Sequence, residues 1–295
     1  MSLAPSGVFS AALTPLDADL APDHARFVKH ARRLLEEGCD GIAMLGTTGE
    51  ANSFSSSERM ALLDAAVEAG IAPAALLPGT GVAALTETVA LTRHALSRGV
   101  STVVMLPPFY YKDVSEDGLF AAYAETVTRI ADTRLRVVLY HIPQVSAVPI
   151  PFAVIHRLRA AFPGTFAGIK DSAGKLDHMV ALVKEFPGLA VLAGADPLLL
   201  PLMQQGGAGC ITATSNLVAA DLAFVFRHFA DPARAEEVAA AQARIVAKRE
   251  QASRFAQMAS LKALLAQKDG HEGWKRLRPP LLPLTPAEEA ALLAR

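Results

Sequence analysis

The chain has only two cysteines among 295 residues, Cys39 and Cys210, far apart in sequence and each in apolar surroundings. That sets aside a disulfide framework and a cysteine metal site, and leaves buried free thiols as the expectation. No apolar run approaches the roughly 20 residues a bilayer-spanning helix needs, so no membrane partner is expected. Lysine and arginine number 28 against 29 acidic residues, a net charge of −1, and they form no basic stretch. A surface that tracks phosphates needs clustered cations, so nucleic acid is not an expected partner. The opening Met1-Ser2-Leu3-Ala4-Pro5 lacks the basic and apolar regions of a signal peptide. Together with the unpaired thiols, this makes a reducing cytoplasm the expected compartment. His156, His178 and His228 fall in helical patterns without metal-ligand spacing.

What is present is a regular alternation. Eight short apolar runs occur, Val8–Leu13, Gly41–Leu45, Ala74–Leu77, Thr102–Leu106, Val137–Tyr140, Ala167–Lys170, Ala190–Ala193 and Gly209–Thr212. Near-continuous apolar character fits parallel strands covered on both faces. Between them lie amphipathic patterns that predict helices over His24–Glu37, Ser56–Ala69, Leu85–Ser97, Leu119–Thr128, Phe152–Ala161, Leu176–Glu185, Pro197–Gln204 and Leu217–Phe229. Eight uninterrupted βα units predict an α/β fold of the (β/α)8 TIM-barrel type over residues 1–230, with a doubly wound open sheet as the alternative. Residues 231–295, helical in pattern through Pro232–Gln267 and again around Pro286–Ala294, form a C-terminal extension expected to pack on the barrel.

The residues with chemistry cluster where the strands end, which in a TIM barrel is where active sites lie. Lys170 closes an apolar run in Gly168-Ile169-Lys170-Asp171-Ser172. Burial disfavours an ammonium, and a neutral amine in a pocket attacks carbonyls to give a Schiff base. The second run leads to Gly46-Thr47-Thr48-Gly49-Glu50, whose glycines let backbone N–H groups approach a small carboxylate. The fourth leads to Pro107-Pro108-Phe109-Tyr110-Tyr111-Lys112 and the fifth to Tyr140-His141-Ile142-Pro143. Tyr140 reads either as a core tyrosine or as a proton shuttle beside the lysine. Tyr110 and Tyr111 suit a subunit contact, and His141 suits a wall of the pocket. Asp171 and Glu50 read as caps or loop anchors. Gly206-Gly207-Ala208-Gly209 precedes the eighth strand, at the wrong end of a barrel to cradle a phosphate.

These motifs, in this order and over nearly the whole chain, resemble the dihydrodipicolinate synthase / N-acetylneuraminate lyase family of Schiff-base aldolases and lyases. The resemblance implies Lys170 as the imine-forming lysine for pyruvate or another 2-oxo acid, Tyr140 as the proton-transfer tyrosine and Thr47 as a hydroxyl relay. It implies Thr48, with its backbone N–H, as carboxylate binder, and Gly46, Gly194, Ile211 and His141 around the substrate. It implies a homo-oligomer, tetramer or dimer, in which Tyr110, or Tyr111 after a one-residue shift, reaches the neighbouring subunit's site. An aldehyde is the second substrate, and no metal or organic cofactor is implied. The sequence departs from the synthases in two places. Val145 stands where they carry an arginine for the aldehyde's carboxylate, and Ala83, Ser56 and Arg59 stand where they bind lysine as a feedback inhibitor. The expectation is therefore a lyase acting on a 2-keto-3-deoxy sugar acid or hydroxy-oxo acid. The alternatives are 4-hydroxy-tetrahydrodipicolinate synthase itself and a non-catalytic 2-oxo acid binding protein.

Overall fold

The structure is a computed structural model and describes residues 4–294. Its strands are β1 (Gly7–Ala11), β2 (Gly41–Ala43), β3 (Thr102–Met105), β4 (Arg136–His141), β5 (Phe166–Asp171), β6 (Ala190–Ala193) and β7 (Gly209–Thr212). They form one sheet in the order β2-β1-β7-β6-β5-β4-β3, and every pairing is parallel.

The expected third strand is corrected. Pro73–Ala75 forms a 3-10 turn, and no strand is defined between β2 and β3. The segment 76–80 fills the place instead. Leu77 N donates to Ile42 O at 2.9 Å, Gly79 N to Met44 O at 2.8 Å, Thr80 N to Val104 O at 3.0 Å, and Val104 N to Pro78 O at 3.0 Å. Pro73 and Pro78 have no N–H to give a ladder. Gly79 runs so close to the second strand's exit that a Cβ there would lie 2.2 Å from Leu45 O. The barrel therefore closes, but through bridges rather than an eighth regular strand.

Side-chain alternation sorts the strand residues. Phe9, Ala11, Ala43, Leu77, Val104, Val138, Tyr140, Leu192 and Ile211 fill the barrel. Val8, Ile42, Val103, Val137, Leu139, Ile169, Val191 and Cys210 face outward and pack under the helices. Both faces are dry, which is why the runs read as continuously apolar. Cys39 and Cys210 are free and buried. Burial, with the Asp40 and Glu37 charges adding, pushes the Cys39 thiol up to about 12. At neutral pH it is not a thiolate, and so not a nucleophile.

The helices lie close to their expected positions, with local capping setting their ends. Asp23 accepts from Arg26 N to start His24–Glu36, and Ser55 and Glu58 form a reciprocal capping box on Ser56–Glu68. Ser115 caps the helix Glu116–Ile130, so it begins three residues before the apolar pattern suggests. The pattern at Pro197–Gln204 resolves into a 3-10 turn, Asp196–Leu198, and one helical turn, Leu199–Met203. Beyond the helix Ser215–His228, the extension folds as Ala235–Ala252, Gln257–Asp269 and Pro286–Leu293. Leu261, Leu264, Leu265 and Trp274 of the extension pack with Leu13 and Ala213, which follow the ends of β1 and β7.

A buried polar hub ties those two strand exits together. Asn216 Oδ1 accepts from Leu13 N at 3.0 Å, and its Nδ2 donates to Ala11 O at 2.9 Å and to Ala213 O at 2.7 Å. His30 Nε2 donates to the same Oδ1 at 2.8 Å, while Nδ1 accepts from Arg33 Nη2 at 3.1 Å. Those partners require the neutral imidazole with its proton on Nε2. Burial lowers the His30 pKa to about 3 from an ordinary 6.5; the Asn216 hydrogen bond opposes this, and the Arg33 and Lys268 charges reinforce it. Below pH 6.5 the unfolded chain takes up a proton that the folded chain refuses. This contribution is complete above 6.5 and lost as pH falls toward 3. At pH 4.5 the loss is about 2 to 3 kcal/mol. Urea titrations at pH 7 and 4.5 should show this fall in the wild type and a shallower one in His30→Gln; equal falls would mean His30 is not the titrating group.

Candidate active site

The register of β4 and β5 sets Tyr140 directly opposite Lys170, and both point into the barrel. Lys170 is 5% exposed, and its Nζ lies 4.1 Å from the centre of the Tyr140 ring. The Tyr140 hydroxyl is 3.4 Å from Thr47 Oγ1, a long contact that a ligand can tighten. Burial alone would raise the Tyr140 pKa. The Lys170 charge and hydrogen bonds with Thr47, Lys170 and Ser172 outweigh it, so the phenol is more acidic than an ordinary tyrosine.

Thr47 and Thr48 sit in a tight turn that the backbone imposes. Glu50 N donates to Thr47 O at 3.1 Å and Ala51 N to Gly46 O at 3.2 Å. The turn is entered and left through left-handed residues, Leu45 at φ 57° and Glu50 at φ 56°. Left-handed backbone in non-glycine residues costs energy and persists only where surrounding contacts enforce it. Here Thr14 Oγ1 donates to Gly49 O at 2.8 Å, and Glu50 is drawn into the interior to pair with Lys262 of the extension. Both side chains of that pair are fully buried. Lys262 also donates to Arg276 O at 2.6 Å, and Arg278 N donates to Glu50 Oε2 at 3.3 Å. Burial lowers the Lys262 pKa, with Glu50 opposing.

Gly46, Thr47, Ala51, Gly79, Leu106 and Tyr140 line a cleft on one side of the lysine–tyrosine pair. Thr48 is half-buried in the turn. Ile211 is buried in the barrel interior with Tyr140. Gly194 has a steric reason to lack a side chain, since a Cβ would come within 2.0 Å of Ser172 Oγ. Ser172 is a residue the sequence reading passed over, although it stands two positions after Lys170 and so on the same side of the chain. Lys262 was also missed; a lysine in a helix rich in Ala, Leu and Gln carries no sign of its burial.

Two expected residues are not brought to the lysine in this chain. His141 follows Tyr140 on the strand and therefore faces outward. Its Nδ1 accepts from Ile150 N at 3.2 Å, and its ring stacks on His178 with centroids 5.0 Å apart. Tyr110 and Tyr111 are 72% and 74% exposed, and among the described residues their ring contact is with each other.

His141, Asp171 and His178 bring ligand atoms within 4.8 Å of one another, close enough to hold a metal ion by distance. Their directions do not suit one. The two rings lie 22° from parallel, so their in-plane lone pairs run side by side instead of converging. Both Asp171 oxygens already accept hydrogen bonds, from Ala173 N at 2.8 Å and His178 Nδ1 at 2.6 Å.

A closed parallel barrel with a buried lysine against a tyrosine at its strand ends, beside a hydroxyl-bearing turn, is the architecture of a class I aldolase or lyase. The sequence profile of the dihydrodipicolinate synthetase family matches residues 4–294, and the chain belongs to that family. An "uncharacterized DapA-like lyase" of Chloroflexus aurantiacus is 39% identical over 292 residues, covering 98% of this chain and 95% of its own. A 4-hydroxy-tetrahydrodipicolinate synthase of Listeria monocytogenes is 33% identical over 224 residues, 75% of each chain. The crystal structure of dihydrodipicolinate synthase from Agrobacterium tumefaciens is similar with a TM-score of 0.86 and 31% identity, covering 97% of this chain and 96% of that one.

The Glu50–Lys262 pair makes a sharp stability test. Removing one partner of a buried pair leaves an uncompensated charge, at a cost of about 3 to 5 kcal/mol. Lys262→Met should lose that much in chemical denaturation, and Glu50→Gln/Lys262→Met should regain most of it. Additive losses in the double variant would show that the two side chains are not coupled.

Proposed function

We propose that the enzyme joins Lys170 to the C2 carbonyl of a 2-oxo acid, pyruvate first among them, and makes or breaks the adjoining carbon–carbon bond. The observation that carries this reading is the Lys170 amine held 4.1 Å over the Tyr140 ring inside the barrel. The unprotonated amine adds to C2, and the carbinolamine loses water to give an iminium. In cleavage, the electrons of the C3–C4 bond flow into the iminium as an enamine while the hydroxyl at C4 loses its proton and becomes an aldehyde. Protonation at C3 and hydrolysis return pyruvate and the amine. Tyr140, made acidic by its surroundings, exchanges protons with the nitrogen, the carbinolamine oxygen and the C4 hydroxyl. Thr47 relays them, and Tyr110 of a neighbouring subunit completes the chain. Thr48 and its backbone N–H hold the carboxylate, with Gly46, Gly194 and Ile211 shaping the cavity. The iminium nitrogen is the electron sink, so these steps call on no metal or organic cofactor.

Such a shared site calls for a homo-oligomer, a dimer or tetramer. Tyr110, Tyr111, Val114 and Val145 are large hydrophobic side chains left exposed in one chain, which fits that reading. No described helix is long and apolar enough to cross a membrane. A cytoplasmic enzyme is the reading that suits its two free thiols.

The second substrate follows from what surrounds its entry. Val145 is 61% exposed in the short turn Pro143–Ser146. Its neighbour Gln144 donates to Ser172 O at 2.6 Å, so neither offers a cation to an aldehyde's carboxylate. Ser172 and Tyr140 offer hydroxyls instead. A neutral, hydroxylated aldehyde is favoured, and with it a 2-keto-3-deoxy sugar acid or hydroxy-oxo acid as the cleaved substrate. The alternative is 4-hydroxy-tetrahydrodipicolinate synthase, the activity named for the Listeria relative.

Borohydride reduction in the presence of pyruvate should add the mass of the reduced adduct to the peptide bearing Lys170. Label on Lys112 or Lys175 instead would sink the assignment.

Losing a charge-assisted bidentate contact costs on the order of 2 to 4 kcal/mol, or about 30- to 1000-fold in transition-state binding. Condensation of pyruvate with aspartate semialdehyde should be slower by that factor than with a neutral hydroxyaldehyde, and Val145→Arg should recover part of the difference. A wild-type kcat/KM on the order of 10⁵ M⁻¹s⁻¹ with aspartate semialdehyde would overturn this reading and favour the synthase.

A further inference from the structure

The residues that directly follow Tyr140 and Lys170 also form a pair. Because β4 and β5 are in register, His141 lies opposite Asp171 just as Tyr140 lies opposite Lys170, but on the outer face of the barrel. Asp171 is fully buried there. One carboxylate oxygen accepts from Ala173 N and the other from His178 Nδ1, at 2.8 and 2.6 Å. His178 belongs to the helix Leu176–Glu185, rests against Phe152 and stacks on His141. His141 is pinned in turn by Ile150 N. The backbone around Asp171 is equally held, with Ser172 N donating to His141 O and Gly194 N donating to Asp171 O, each at 2.8 Å.

We propose that Asp171 and His178 form a positioning unit for Lys170, with His141 as the plate against which His178 is held. The proposal rests on the reading of Lys170 as the imine-forming amine. Asp171 has no water to turn to, so its carboxylate must keep the His178 donor or leave its site. Leaving twists the 170–171 backbone, because the other carboxylate oxygen is tied to Ala173 N two residues on. Lys170 projects from the opposite face of the same backbone on a four-carbon stem, so such a twist moves the amine relative to Tyr140 and to the bound carbonyl. A displacement of about 1 Å at a reacting group can cost on the order of 100-fold in rate. The carboxylate-binding turn at Thr47–Thr48 is anchored separately, through Thr14 and through Glu50 to Lys262. Loss of the His178 contact should therefore slow bond formation and leave 2-oxo acid binding nearly unchanged.

His178 is 30% exposed on its helix, so it tolerates substitution. Two variants separate positioning from bulk stability. His178→Leu fills the space without a donor, and His178→Asn restores an N–H within reach of the carboxylate. The measurement is the rate of borohydride-trapped adduct formation as a function of pyruvate, with circular dichroism confirming that each variant is folded. His178→Leu should trap about tenfold more slowly at saturating pyruvate, with half-saturation moved less than threefold, and His178→Asn should recover most of the rate. Equal rates in both variants, whether both slowed or both unaffected, would overturn the proposal, as would a loss carried by half-saturation. Failure of the underlying reading is distinguishable, because then the wild-type protein itself takes no label at Lys170.

Discussion

The two-residue period of a strand in a closed barrel is the constraint on which the site depends. Each strand has one face toward the barrel interior and one toward the helices, and neighbours in sequence never share a face. Tyr140 and Lys170 meet inside because β4 and β5 are paired in register. The same register sends His141 and Asp171 to the other side, where they meet His178. A slip of one residue in β4 would bring the His141 imidazole inside in place of the Tyr140 phenol, and a slip in β5 would put the Asp171 carboxylate where the Lys170 amine stands. Specification of the register is thus specification of the chemistry. The apolar residues that enforce it, Val138 inside and Leu139 and Ile169 outside, are fully buried.

Much of this was legible in the chain, for identifiable reasons. A lysine ending a buried apolar run is a local signal, and so is a tyrosine ending another, and the barrel architecture follows from their regular spacing. The third strand was misjudged because Ala74–Leu77 is apolar enough to read as a strand, while the prolines at 73 and 78 that withhold ladder donors lie just outside it. The resemblance implies His141 around the substrate, but the residue after Tyr140 on a strand belongs to the opposite face, where His141 stacks on His178. Lys262 left no trace in the sequence, and His178 shows there only as a helical histidine, since each acquires meaning only from a partner, Glu50 or Asp171, on another element.

The extension is part of the site's foundation through one of those partners. A turn entered and left through left-handed Leu45 and Glu50 stores strain, and the Glu50 side chain is held by a lysine that is 212 positions later in the chain. The carboxylate and ammonium lose their hydration together, so neither tolerates the absence of the other. The turn bearing Thr47 and Thr48 is therefore fixed only once the helix Gln257–Asp269 has docked against Leu13 and Ala213. Barrel and extension have to be folded together for the Thr47 hydroxyl to stand near Tyr140.

A division of labour follows from where the polar groups are satisfied. The floor and walls around Lys170 are overdetermined by the register, the Asn216 hub, the Glu50–Lys262 pair and the Asp171–His178 contact, each buried and hydrogen-bonded. Tyr110, Tyr111 and Val145, by contrast, are exposed in the single chain. Fixed geometry is what the proposed addition to a carbonyl would require of Lys170 and Tyr140, because reactivity falls steeply with misalignment. Discrimination among aldehydes asks only for a difference in fit at the rim. On the proposed reading, an exposed position such as Val145 can change without disturbing the buried surroundings of Lys170. If the proposed chemistry holds, the same core with an arginine at that position and the same core with valine would differ in which aldehyde they accept.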